Sequence, residues 1–114
     1  MLPKEKRLNL RKEFKWVASG KRIESKFLKL FLIFGSNEEP KIGIAASASV
    51  FKKSTDRNRA RRLTSAAFEP IYANLPPRVN IVALPKQGIL SVKSKDVLLD
   101  LEEGLIKEKV LIKK

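Results

Sequence analysis

The sequence predicts one α+β domain spanning residues 1–114. Three observations carry this. The chain is long enough to enclose a real hydrophobic core but too short to build two. Apolar residues switch between helical and strand spacing from one segment to the next. No internal repeat or low-complexity linker divides the chain.

The first helix is expected from about Arg11 to Ser19, where Phe14, Val17 and Ala18 recur at helical spacing and Gly20 supplies the stop. Phe27 to Phe34 reads as a strand, rich in Phe, Leu and Ile and closed by Gly35-Ser36-Asn37. Its two faces differ. Leu28, Leu30, Leu32 and Phe34 form an apolar side that belongs in the core, whereas Phe27, Lys29, Phe31 and Ile33 mix aromatics with a cation. That second side is either covered by a helix or offered to nucleobases for stacking beside a positive charge. Ile42 to Ala48 is a second strand, in which Gly43, Ala45, Ala46 and Ala48 admit close packing by another element. A basic connection with Lys52, Lys53, Ser54 and Thr55 leads to Asp56, placed to cap a helix N-terminus. Pro70 should end or kink that helix, since its ring clashes with the Ala66 carbonyl. After Pro76-Pro77, Asn80 to Leu84 is a short buried strand, and Ser94 to about Glu103 a final helix with Val97, Leu98 and Leu101 on its apolar stripe. Lys107 to Lys114 alternate charged and apolar residues too briefly to assign.

Composition narrows the function. The 25 basic and 12 acidic side chains leave a net charge of +13, which calls for a polyanionic partner or an anionic surface. Residues 1–62 hold 17 basic and 6 acidic groups, against 8 and 6 in residues 63–114, so the binding face should come from the first half. Without cysteine there are no disulfides or thiolate metal sites. Without histidine as well, the usual general base and zinc ligands are missing, and no carboxylate pair has convincing spacing. Glu38-Glu39 precedes Pro40 in a turn, and Glu102-Glu103 lies on an exposed helix face. No catalytic residue and no side-chain metal site are therefore expected. No apolar run reaches the roughly 18 residues of a bilayer span, and Met1 to Arg7 lacks the hydrophobic region of a signal peptide. A cytoplasmic protein without a membrane partner is the expectation.

The run Arg57-Asn58-Arg59-Ala60-Arg61-Arg62 is the densest functional signal. Guanidinium groups are planar forks that match phosphate geometry and repel one another when no anion is present. On a helix, Arg57, Arg61, Asn58 and Arg62 fall within about 140° of one another, whereas Leu63, Ala67, Ala60 and Ile71 cluster between roughly 240° and 320°. One face binds and the other packs. Arg59, at about 200°, flanks the boundary. The helix N-terminus adds N–H groups and partial positive charge for phosphate. RNA is the favoured partner.

The segment from Asp56 to Leu63, preceded by the strand Ile42-Gly43-Ile44-Ala45 and followed by Ala67-Phe68, resembles the signature of the protein subunit of bacterial ribonuclease P. Leu2-Pro3-Lys4 with Arg7-Leu8, and the short helix carrying Phe14 and Val17 before Gly20, are similar to that family's N-terminal pattern. The resemblance covers residues 1 to about 103. It implies an α/β sandwich with a mixed sheet and a left-handed βαβ crossover, the ribosomal protein S5 domain 2-like architecture.

In that family the RNA subunit performs the cleavage with Mg2+ and removes the 5′ leader of precursor tRNA. The resemblance implies that the protein assists as the non-catalytic component of this endonuclease. Arg57, Asn58, Arg59, Arg61 and Arg62 would then contact the RNA subunit, with Lys52 and Lys53 beside them. Phe14 would line a cleft for the single-stranded leader. Trp16 and Val17 on the same helix, and Lys29 and Phe31 on the mixed strand face, complete the candidate cleft set. Trp16 stands two residues from Phe14, on another helix face. The implied partners are the RNA subunit and precursor tRNA, with no protein partner required. The chain departs from the family pattern at Ser65, where a further basic residue is common, at Ala48-Ser49, which replace a basic pair, and at Ala18, which replaces a second aromatic. The alternative is a ribosomal or ribosome-associated RNA-binding protein with no role in tRNA cleavage. A DNA-binding role in the major groove is weaker, for lack of a paired-helix motif.

Overall fold

The computed structural model describes residues 3–111. Helix α1 covers Leu10–Ala18, strand β1 Lys21–Glu24, β2 Leu28–Phe34, β3 Lys41–Ile44, α2 Ser54–Phe68, β4 Val79–Pro85 and α3 Ser94–Lys107. Short 3-10 turns occupy Lys4–Lys6, Glu69–Asn74 and Gln87–Ser91. The four strands form one mixed sheet in the order β1-β2-β4-β3, antiparallel except for the β3–β4 pair. A single α+β domain is the outcome, as expected.

Strand β2 explains the layering. Leu28, Leu30 and Leu32 are buried against α2 and α3, together with Ile81 and Ala83 from β4 and Phe68, Val97, Leu101 and Leu105 from the helices. Each such side chain contributes roughly 1.5–3 kcal/mol on burial. The opposite pleat carries Phe31 and Ile33, which pack with Val82 under Leu8, Leu10, Phe14 and Val17. The helix-covered reading of the mixed face holds for part of its length. Helix α1 covers its Phe31–Ile33 end, and the Lys29 end continues beyond the helix into a cleft.

Several expected boundaries moved for identifiable reasons. Strand β1 went unread because the four residues Lys21–Glu24 place only Ile23 in the core. Phe34 ends β2 exposed, at 54%, because the core-facing pleat runs out of cover at the sheet end. Strand β3 stops at Ile44 rather than Ala48; Ala45 makes a last N–H bond to the Ala83 carbonyl (3.0 Å) before the chain leaves the sheet. Helix α2 starts at Ser54 with Lys53, in extended conformation, as its cap residue; Asp56 occupies the first turn instead. Pro70 ends α2 as expected, but by opening the following 3-10 turn, which carries Ile71 into the core. Helix α3 runs on to Lys107, after which Lys109 adopts a left-handed φ of 62° and returns Val110 and Leu111 to the core. Leu2 of the N-terminal motif and residues 112–114 of the tail lie outside the described residues.

The β1–β2 turn is tied to α3 by one carboxylate. Asp100 accepts from the Ser25 hydroxyl (2.7 Å) and from the backbone N–H groups of Lys26 (3.0 Å) and Phe27 (2.9 Å). Asp100→Ala would strand two amides at a half-buried turn and should cost about 2–3 kcal/mol, read by urea unfolding. An unchanged midpoint would show that water replaces the carboxylate without loss.

Candidate nucleic-acid interface

Helix α2 packs through Ala60, Thr64, Ala67 and Phe68 and turns its other side to solvent. Asn58, Arg59 and Arg62 are exposed; Arg57 and Arg61 are half-buried. Their partners differ. Arg57 Nη1 donates to the carbonyls of Phe51 (2.8 Å) and Lys52 (3.2 Å), so this guanidinium also pins the loop that enters the helix. Arg61 Nη2 donates to Asn58 Oδ1, one turn back, which holds both polar heads on one stripe. Among the described residues, neither Arg59 nor Arg62 takes part in an ion pair. Lys52 and Lys53 are exposed just before the first turn, where helix N–H groups and their partial positive charge also favour an anion. One surface thus gathers permanent cations, amide donors and a helix terminus, the groups a phosphate would need.

A second feature opens at the carboxyl ends of the two parallel strands, the usual ligand crevice of α/β sheets. A cavity of about 340 Å³ lies there, lined by Lys29, Leu84 and Lys86 together with Ala45, Val50 and Gln87. Lys29 and Leu84 are direct cross-strand partners. Leu84 also belongs to the apolar cluster holding Phe14 and Phe31, so that cluster borders the cavity. Lys86 Nζ donates to the Ser25 carbonyl (2.8 Å) and pairs with Glu24 at 3.3 Å. The hydrogen bond and charge of Lys86, helped by Arg22 and Lys29, hold the Glu24 carboxyl below its usual range. The crevice offers an apolar floor with Lys29 and Lys86 at its rim, beside the Glu24 carboxylate that pairs with Lys86 and also lines it. An apolar floor flanked by cations suits unstacked bases joined by phosphates.

The two features are continuous. Val50 and Gln87 line this cavity and also the next one, which runs past Phe51, Lys52 and Lys53 to the start of α2.

The structure divides the proposed cleft residues. Phe14 on α1 packs in the apolar cluster with Phe31 of β2, and of the three residues Phe14, Phe31 and Lys29 it is Lys29 that lines the cavity itself. Val17 is fully buried between α1 and the sheet, which makes it a support of the wall rather than a contact surface. Trp16 points to the other flank of α1, into a separate groove with Asn37 and Lys41. Ser65 is buried and, with Arg61 and Gly43, borders a small cavity of about 120 Å³, so it does not extend the exposed arginine stripe. Lys86 and Gln87 were not anticipated from sequence. They lie in the half of the chain with little net charge, and the signal available was their position directly after a buried strand.

Comparison with known proteins gives a consistent result. A family model described as Ribonuclease P matches residues 2–109. The ribonuclease P protein component of Nitrosococcus oceani is 34% identical over 100 residues, covering 84% of this chain and 83% of that protein. A Staphylococcus aureus RNase P protein mutant superposes with a TM-score of 0.82 at 16% identity, covering 95% of this chain and 92% of the other. The RNase P protein from Thermotoga maritima gives 0.75 at 22% identity, over 85% and 92% of the two chains. At those identities the superpositions establish a shared fold. With the family model spanning nearly the whole described domain, the chain belongs to the ribonuclease P protein family.

Proposed function

We propose that this chain is the protein component of a ribonucleoprotein ribonuclease P in which the RNA subunit, with Mg2+, carries the chemistry and the protein positions the substrate. The observation that carries the reading is the continuous groove from the sheet cavity, through Val50 and Gln87, to the arginine face of α2. One polyanion docks on α2 through Arg57, Asn58, Arg59, Arg61 and Arg62, with Lys52 and Lys53 at the helix entrance. A single-stranded 5′ leader of precursor tRNA lies in the cavity, its bases over Phe31 and Leu84 and its phosphates against Lys29 and Lys86. Among the described residues no group of His, Cys, Asp or Glu is arranged to hold a metal ion, and no helix is long and apolar enough to cross a membrane. The cytoplasm, where precursor tRNA and the RNA subunit reside, is the proposed location.

Cleavage of a 5′-extended precursor tRNA by a bacterial ribonuclease P RNA at low Mg2+, with and without this chain, tests the reading. Stimulation that needs the RNA subunit is expected, and Lys29→Ala should weaken binding of leader-bearing substrate several-fold without affecting mature tRNA. Tight RNA binding without stimulation would move the chain to a ribosome-associated role.

A further inference from the structure

Two grooves open beside the layer that α1 forms on the sheet, and only one is used by the reading above. The second, on the Trp16 side, encloses about 490 Å³, a volume within the range of small-ligand sites. Trp16 is the chain's single tryptophan and is 40% exposed. Val17 already anchors α1 to the sheet, so the indole is not needed to complete the core. Gly35 makes its position possible: a Cβ there would stand 2.6 Å from the ring atom Cη2. The ring therefore rests on bare backbone and keeps part of its surface toward the groove.

The rest of the groove is polar and held in place. Asn80, buried in the floor, donates to Asn37 Oδ1 at 2.8 Å, and Asn37 in turn donates to the Glu39 carbonyl at 2.6 Å. Arg7 and Lys41 supply cations, and Glu13 is the one acid in the lining. Lys41 donates to the Glu5 carbonyl, which leaves two of its three ammonium donors for other acceptors. Arg7 also borders the small cavity that holds Arg61, so this groove runs on to the arginine helix.

We propose that this groove is a second RNA site, which takes one unpaired nucleotide of the RNA bound on α2, its base stacked on Trp16 and its phosphate at Arg7 and Lys41. The inference rests on the RNA-binding reading of α2 and goes beyond it. A stacking platform beside cations is the physical requirement for holding an unstacked nucleotide. Continuity with Arg61 decides the source: the strand docked on the arginine helix reaches this groove, whereas the leader cavity lies at the carboxyl ends of the parallel strands, across α1.

Because Trp16 is the only tryptophan, its emission reports the site directly. Titrating the full chain with ribonuclease P RNA, in the absence of any tRNA, should quench that emission and shield it from acrylamide. Trp16→Leu, which keeps an apolar contact with Gly35, should weaken assembly roughly five- to a hundred-fold. Arg7→Gln keeps the reporter and should reduce the quench, which covers the case of a Trp16 variant that folds poorly. Assembly detected by filter retention with unchanged emission and acrylamide access would overturn the proposal and leave the proposed function standing. Quenching that appears only on adding leader-bearing precursor tRNA would overturn it too, by assigning Trp16 to the leader. Failure to assemble at all would remove the function reading, and this inference with it.

Discussion

Exchanging Arg59 and Arg62 together for alanine should weaken assembly with ribonuclease P RNA on the order of 10- to 100-fold while leaving the melting temperature within about 2 °C of the parent. These two arginines are the cleanest probes of the interface. Both are exposed on α2, and among the described residues neither joins an ion pair, so little folded-state energy depends on them. Arg57 is a poorer probe, because its guanidinium also holds the carbonyls of Phe51 and Lys52 and its loss would loosen the loop as well as the contact. Arg61 is intermediate, since it orients Asn58. If Arg59 and Arg62 each neutralise one phosphate, the slope of log K against log salt should fall by about 1.4 to 1.8 in the double variant. Weaker binding with an unchanged slope would point to a non-electrostatic role for these side chains. Unchanged binding would place the RNA on another face.

The exposed face of α2 proposed as the interface was legible in the sequence because its code is local. Five residues in one turn and a half of helix declare their face by spacing alone, and the apolar stripe of Ala60 and Ala67 fixes which side is buried. Strand β2 was equally readable, since seven consecutive residues alternate between two chemically distinct pleats. What escaped depends on contacts distant in sequence. Strand β1 offers one apolar residue, and only pairing with Leu30 across the turn places Ile23 in the sheet. The segment Arg7–Leu8 docks along β3 through the Leu8 amide and the Ile42 carbonyl (2.9 Å), a pairing no local pattern announces.

The same limit explains the division of the cleft residues. Spacing on α1 separates Trp16 from Phe14 by about 200°, which shows that they face different ways. It does not say what either faces. That depends on where the helix lies across β2 and β4, and this position in turn is set by two close approaches: Leu10 over Gly43, and the end of α1 over β2. The value of Lys86 as a cleft cation likewise depends on β4 running antiparallel to β2, which brings Pro85 opposite Leu28 and the residue after it beside Glu24.

The approach of α1 to β2 also leads to a large expected loss of stability, at Gly20. This residue has an ordinary negative φ, so its role is steric rather than conformational. It lies where the chain leaves α1 and enters β1, directly over β2, and a Cβ there would overlap the Leu32 carbonyl oxygen and stand 2.9 Å from Ile33 Cβ. Neither neighbour can easily yield. Leu32 is paired on both sides, with Lys21 in β1 and Ile81 in β4, so shifting its carbonyl disturbs three strands. Lifting α1 instead would pull Val17 from its buried seat. Gly20→Ala should therefore cost about 2–3 kcal/mol, lowering the melting temperature by roughly 10 to 20 °C. Gly104→Ala provides the opposite sign: a Cβ on that helical residue meets nothing closer than 3.7 Å, and removing a mid-helix glycine should stabilise by about 0.5–1 kcal/mol. A Gly20 variant that melts like the parent would mean that the α1–β1 junction adjusts freely. The position of α1, and with it the groove that Trp16 lines, would then be set by apolar packing alone.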